Sequence, residues 1–170
     1  AAFVGDPGDP RAELALGNIG ADGTVNWSRE YVTVPPPRPS KETPVDAYQG
    51  RWAWLVQLPD KHPADYAVAW MNHLMALRGD GSIVGAVSYP GITKFTALAL
   101  DRDGRLLVAG IARQSGFPVV AKVPVPPAAL DGPQGSFWAS EIQGIGKWSN
   151  RQRTDLVVTA NGWIWLGTEP

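Results

Sequence analysis

The chain contains no cysteine. It can therefore have no disulfide framework, no thiolate metal site and no cysteine nucleophile. Histidine is nearly as scarce, limited to His62 and His73. One falls in a loop and the other at a strand start, and no third ligand clusters with them, so no metal site is expected. A hydrolytic triad needs a histidine, an acid and an activated serine held together, and no Gly-x-Ser-x-Gly elbow occurs. Gly144-Ile145-Gly146-Lys147 lacks the spacing and the following helix of a phosphate loop. Charge is sparse, at 18% of residues with a net of −1, without the basic excess of a nucleic-acid binder. Arg151 and Arg153 form the one tight basic pair near aromatics, and a solvated turn accounts for them. No apolar run approaches the roughly 18 residues that cross a bilayer as a helix. No catalytic residue, cofactor or metal is expected.

Glycine and proline are abundant, at 19 and 16 of 170 residues, within a chain that is 44% hydrophobic. That combination fits a globular all-β protein with many turns. The turns themselves repeat. Asp22-Gly23, Asp80-Gly81, Asp103-Gly104 and Asn161-Gly162 each lead into a β-rich run. Asp-Gly and Asn-Gly between apolar runs are hairpin signals, because glycine adopts the left-handed backbone such turns require.

Gly23 and Gly81 stand 58 residues apart, and so do Gly104 and Gly162. The flanks agree at the same offset. Leu16 matches Leu74, Ile19 matches Leu77, Val25 matches Ile83 and Tyr31 matches Tyr89. In the second series Leu98 matches Leu156, Leu100 matches Val158 and Leu106 matches Ile164. Two weaker turns, Gln49-Gly50 and Gln134-Gly135, complete an alternation of two hairpin types. The reading is a single β-repeat domain of three four-stranded units of about 55 residues, near 12–58, 66–112 and 117–168. The proline-rich stretches Val34–Pro39 and Val123–Pro127 are read as surface loops within it. Ala64–Leu77 can be read as a short helix, but Tyr66, Val68 and Trp70 alternate and the repeat places a strand at Leu74–Leu77.

The middle unit resembles the bacterial SBBP-type β-propeller repeat. The residues that carry the likeness are His73–Ser82, Thr96–Gly110 and Gly116–Lys122. They run as an apolar strand, an Asp-Gly-Ser turn, an alternating strand into an aspartate turn, then Val-x-Gly and Phe-Pro. The resemblance implies a propeller-like scaffold without fixed chemistry and an exported, periplasmic or secreted bacterial protein. The start at Ala1-Ala2, without a methionine, is read as a mature form after signal cleavage at small residues, with a partial chain as the alternative. Three units are too few for a closed propeller of about four to eight blades. Such a chain associates with a copy of itself or another subunit, belongs to a longer polypeptide, or closes as a β-trefoil, the alternative fold.

Counting from the second glycine of each unit separates two strand faces. Trp52 and Trp54, Leu106 and Val108, and Ile164 and Leu166 form an apolar face read as core. The opposite face carries Arg51 and Ala53, Arg105 and Leu107, and Trp163 and Trp165. Trp163 and Trp165 either pack under a neighbouring unit or loop, or face a partner subunit as interface tryptophans do. They are the candidate partner-binding residues. Asp101 and Asp103 lack the further oxygen ligands of a calcium loop. Arg78-Gly79-Asp80, an adhesion tripeptide, lies in the repeat's own turn. The expected function is a non-catalytic scaffold or accessory subunit docking on a larger extracytoplasmic or membrane-associated assembly. A carbohydrate-binding module using exposed tryptophans, or a hydrolase-type propeller fragment, are the alternatives.

Overall fold

Glycine sets the turns. Gly23, Gly81 and Gly104 take φ of +84°, +80° and +75°, a backbone in which a Cβ would crowd the next carbonyl. All three turns close alike. The glycine N–H donates to the carbonyl three residues back, at 2.9 Å for Gly20, 2.8 Å for Arg78 and 2.9 Å for Asp101. An aspartate braces each loop. Asp22 accepts from the Thr24 N–H at 3.0 Å and Asp80 from the Ser82 N–H at 2.8 Å. In the third turn the brace is Asp101, which accepts the N–H groups of Asp103 and Arg105, both at 2.9 Å. The pattern is a turn followed by a left-handed glycine, which twists the flanking strands in the favoured sense.

The structure is a computed structural model that describes residues 2–4, 12–33, 53–126, 138–142, 154–159 and 164–168. Among these all regular structure is β. The strands are β1 (Ala2–Val4), β2 (Ala12–Ile19), β3 (Val25–Thr33), β4 (Ala53–Gln57), β5 (Tyr66–Trp70), β6 (His73–Leu77), β7 (Ile83–Ser88), β8 (Ile92–Leu100), β9 (Leu106–Ala112), β10 (Pro118–Val123), β11 (Trp138–Glu141), β12 (Thr154–Val158) and β13 (Ile164–Thr168). They form four antiparallel sheets in chain order: β1-β2-β3, β4-β5-β6-β7, β8-β9-β10-β11 and β12-β13. No described helix is long and apolar enough to cross a membrane.

The sheets divide the chain differently from the three expected units. The unit near 66–112 joins the hairpins at Gly81 and Gly104. Those hairpins, β6-β7 and β8-β9, lie in different sheets. The chain leaves the second sheet at Ser88 and enters the third at Ile92. Between them stand Tyr89, Pro90 and Gly91, and a Pro-Gly step is a chain-turning signal in its own right. The turns at Gly50, Gly135 and Gly162 and the proline-rich stretch 34–39 lie outside the described residues.

The four sheets stack face to face. From the first sheet Leu14, Leu16 and Tyr31 pack on Val68, Trp70, Met75 and Leu77 of the second. The second turns its other face, Ala67, Ala69, Leu74 and Ala76, to Phe95, Leu98, Leu106, Val108, Ala121 and Val123 of the third. The third presents Ala97, Ala109 and Val120 to Leu156 and Ile164 of the fourth. Strands β5, β6, β9 and β10 are therefore buried on both faces. This is why they read as continuous apolar runs and not as strict alternation. The alanine-rich faces let neighbouring sheets approach closely. Strand β8 is the junction, touching β4 and β5 of the second sheet and β12 of the fourth.

Hydrogen bonds reinforce the first junction. Three side chains of β3 donate to three successive carbonyls of the next sheet's turn. Trp27 Nε1 reaches Gly79 at 2.7 Å, Arg29 Nε reaches Asp80 at 2.9 Å and Tyr31 Oη reaches Gly81 at 2.5 Å. The Arg78-Gly79-Asp80 tripeptide is thus part of a sheet-to-sheet clamp. Its backbone is further held by Asp65, whose Oδ2 accepts the Gly79 N–H at 2.5 Å.

Candidate docking faces at the ends of the stack

The 58-residue offset makes exposure comparable from sheet to sheet. Strands β2 and β3 correspond to β6 and β7. Both hairpins carry a register irregularity at the same step, Asn18/Ile19 in one and Ala76/Leu77 in the other. Leu16 and its counterpart Leu74 both face the following sheet. Met75 and Leu77 face the preceding sheet, and Leu77 is 1% exposed there. Their counterparts in the first sheet are Gly17 and Ile19. No described sheet precedes the first, and Ile19 is 50% exposed.

The same comparison serves the other end. Strands β12 and β13 correspond to the turn end of the β8-β9 hairpin, residues 96–100 and 106–110. Leu98 and Leu106 face backward in the stack, as do Leu156 and Ile164. The next residues along each strand, Ala99 and Leu107, pair with one another and point to the opposite side by alternation. Leu107 is 2% exposed. The corresponding pair in the fourth sheet is Val157, which matches the half-buried Ala99, and Trp165, which matches Leu107. Val157 is 54% exposed.

Of the two tryptophans singled out in the sequence, Trp165 thus lies in β13 opposite the exposed Val157, while Trp163 lies outside the described residues. The sequence reading missed Ile19 and Val157. The signal was present in the match of Ile19 to Leu77, but a repeat gives correspondence and not which copy sits at an end.

Other clusters have local accounts. Asp101 is braced by two N–H groups and forms an ion pair with Lys122, both side chains being largely buried. Burial alone would raise the Asp101 pKa. The Lys122 contact and the backbone N–H groups of Arg105 and Asp103 outweigh it and hold the carboxyl below its ordinary value. Calcium therefore meets a carboxylate already in use. Around the β5-β6 turn, Met71 has φ of +51°, and its carbonyl accepts the Phe95 N–H at 2.6 Å. Nearby, His73 Nδ1 and Ser88 Oγ are 2.7 Å apart. Burial lowers the His73 pKa. No carboxylate among the described residues completes a triad with this pair, and no group of three metal-ligating side chains occurs among them.

No protein-family model matches the chain, and no curated protein does. Among solved structures the chain is similar to a protein of unknown function from Bacteroides caccae, with a TM-score of 0.54 and 14% identity. The match covers 97% of this chain and 49% of that one, so the chain spans about half the length of its structural neighbour. A likeness at this identity concerns the fold alone.

Proposed function

We infer that the chain is a non-catalytic, propeller-like β-scaffold or accessory subunit that mediates protein–protein interaction through an end of its sheet stack, docking on an extracytoplasmic or membrane-associated assembly. The observation that carries this reading is the pair of exposed apolar positions at the two ends of the stack: Ile19, whose repeat counterpart Leu77 is buried, and Val157, opposite Trp165 in the last described sheet. Isolated apolar residues on a surface need no explanation, but an apolar position whose repeat counterpart is core marks a missing neighbour. Stacking in chain order, with β4, β8 and β12 in mutual succession, favours a propeller-like arrangement over a trefoil. A trefoil pairs hairpins around a barrel and does not stack consecutive sheets. The resemblance to exported SBBP-type repeats supports the extracytoplasmic setting.

The absence of cysteine makes the test clean. A single Val157→Cys substitution carries a photo-crosslinker at one defined place, with exposed Arg102→Cys as control. The expected result is a protein adduct at position 157 that position 102 does not give, in the native source at native abundance. Equal yields at the two positions would overturn the docking reading.

A further inference from the structure

We propose that the occupant of both end faces is a second copy of this chain, joined head to tail, so that two copies close a ring of eight sheets. This deepens the docking reading above and rests on it. Three observations carry it.

The first is that the two uncovered faces are of opposite kinds. Among the described residues no sheet follows the fourth, where Val157 is exposed, and none precedes the first, where Ile19 is exposed. Every junction inside the chain joins a following face to a preceding face. A second copy supplies both missing partners through one repeated junction, fourth sheet to first sheet. Such a heterologous contact closes when its rotation divides the circle.

The second is that polar residues on the first sheet do not oppose docking. Ser28 and Glu30 are exposed, but so are their counterparts Ala86 and Ser88, inside the stack. Val25 is likewise matched by Ile83, and both are exposed. Among the matched positions of the two sheets, the apolar side chain that changes from buried to exposed is at Ile19, and the turn glycine Gly23 changes with it. The deficit is confined to the place a neighbouring sheet would cover.

The third is length. The match to the structural neighbour covers 97% of this chain and 49% of that one, so two chain lengths approximate that chain's length. Propellers hold about four to eight blades, and twice four sheets falls within that range.

The experiment is the native mass of the full chain and of two charge variants, Ile19→Arg and Val157→Arg, across a dilution series. The wild type is expected at twice 18.2 kDa. Each variant is expected at the single-chain mass, with association weakened at least tenfold in midpoint concentration. Mixing the two variants should restore a particle of two chains, because one junction then joins two unaltered faces. Circular dichroism matching the wild type separates lost association from lost folding. A wild type that stays at 18.2 kDa, or a mass that grows without limit with concentration, overturns the two-copy ring. If the monomer nevertheless crosslinks another protein through position 157, docking stands and self-association falls. If position 157 crosslinks nothing, both fall.

Discussion

Ile19 and Leu77 occupy the same place in the repeat, yet Ile19 is 50% exposed and Leu77 is 1% exposed. Their backbones are alike, each next to a register irregularity in an equivalent hairpin. The difference is the neighbour, since Leu77 lies in the core formed with Leu14, Leu16 and Tyr31. Leu77→Ala should cost about 3 kcal/mol, the transfer loss plus the cavity it leaves. Ile19→Ala should cost under about 1 kcal/mol in the separated chain. Urea unfolding of both variants at low protein concentration checks the contrast. If Ile19→Ala becomes costlier as protein concentration rises, the extra part reports a partner on that face.

The turns support a second contrast, between Gly23 and Gly104. Both have left-handed backbones. A Cβ on Gly23 would meet nothing within 4 Å, whereas one on Gly104 would lie 2.8 Å from Pro59 Cγ in the preceding sheet's loop. Gly23→Ala should therefore lose about 1 kcal/mol, from the backbone alone. Gly104→Ala adds a steric conflict with a ring that cannot swing away, for a total of about 2–4 kcal/mol. Thermal unfolding of the two variants measures the difference. Equal losses would mean that Pro59 gives way freely.

These glycines are legible in the sequence. Asp-Gly and a β-rich run state the local geometry, and Gly23, Gly81 and Gly104 all adopt it. The partition into sheets was not legible in the same way. A repeat fixes a period but not a phase, so the hairpins at Gly81 and Gly104 can be joined into one unit or assigned to two. Pro90-Gly91 marks the true break, but it competes with many other proline and glycine steps. Burial on both faces also hides orientation. Leu106, Leu107 and Val108 are all buried, so burial does not reveal that Leu106 and Val108 face the second sheet while Leu107 points to the opposite side. The site suffered from the same ambiguity. The face of Trp165 was singled out for its tryptophans, whereas the informative residues are Val157 and Ile19, which are unremarkable in composition.

His73 supplies a pH dependence. Burial lowers its pKa from the ordinary 6.5, so the folded chain binds this proton less well than the unfolded chain. Its contribution to stability is full above about pH 6.5 and falls as pH drops through the lowered value. The wild type should lose unfolding midpoint on acidification from about pH 6.5 downward. His73→Gln should flatten that part of the profile while leaving lower pH unchanged. Denaturant midpoints at stepped pH check it, and an unchanged slope in the variant would assign the dependence to other groups.

Asp101 governs a separate, more acidic window. Its pKa lies below the ordinary 3.8: burial works to raise it, and the Lys122 contact with the N–H groups of Arg105 and Asp103 prevails. The folded state therefore holds the carboxylate more strongly than the unfolded state does. This stabilisation is complete above the unfolded value and is lost as pH falls through the folded one. Asp101→Asn keeps an acceptor oxygen for the turn but removes the charge that faces Lys122 within a largely buried pair. At neutral pH the substitution should cost about 2 kcal/mol, because the ammonium is left without its partner. The double variant Asp101→Asn with Lys122→Met should recover part of that loss, since no buried charge then remains. Below the acid transition the single variant and the wild type should converge. Denaturant unfolding at neutral and acid pH tests all three statements, and a single variant that stays equally destabilised in acid would show that the turn, and not the ion pair, carries the effect.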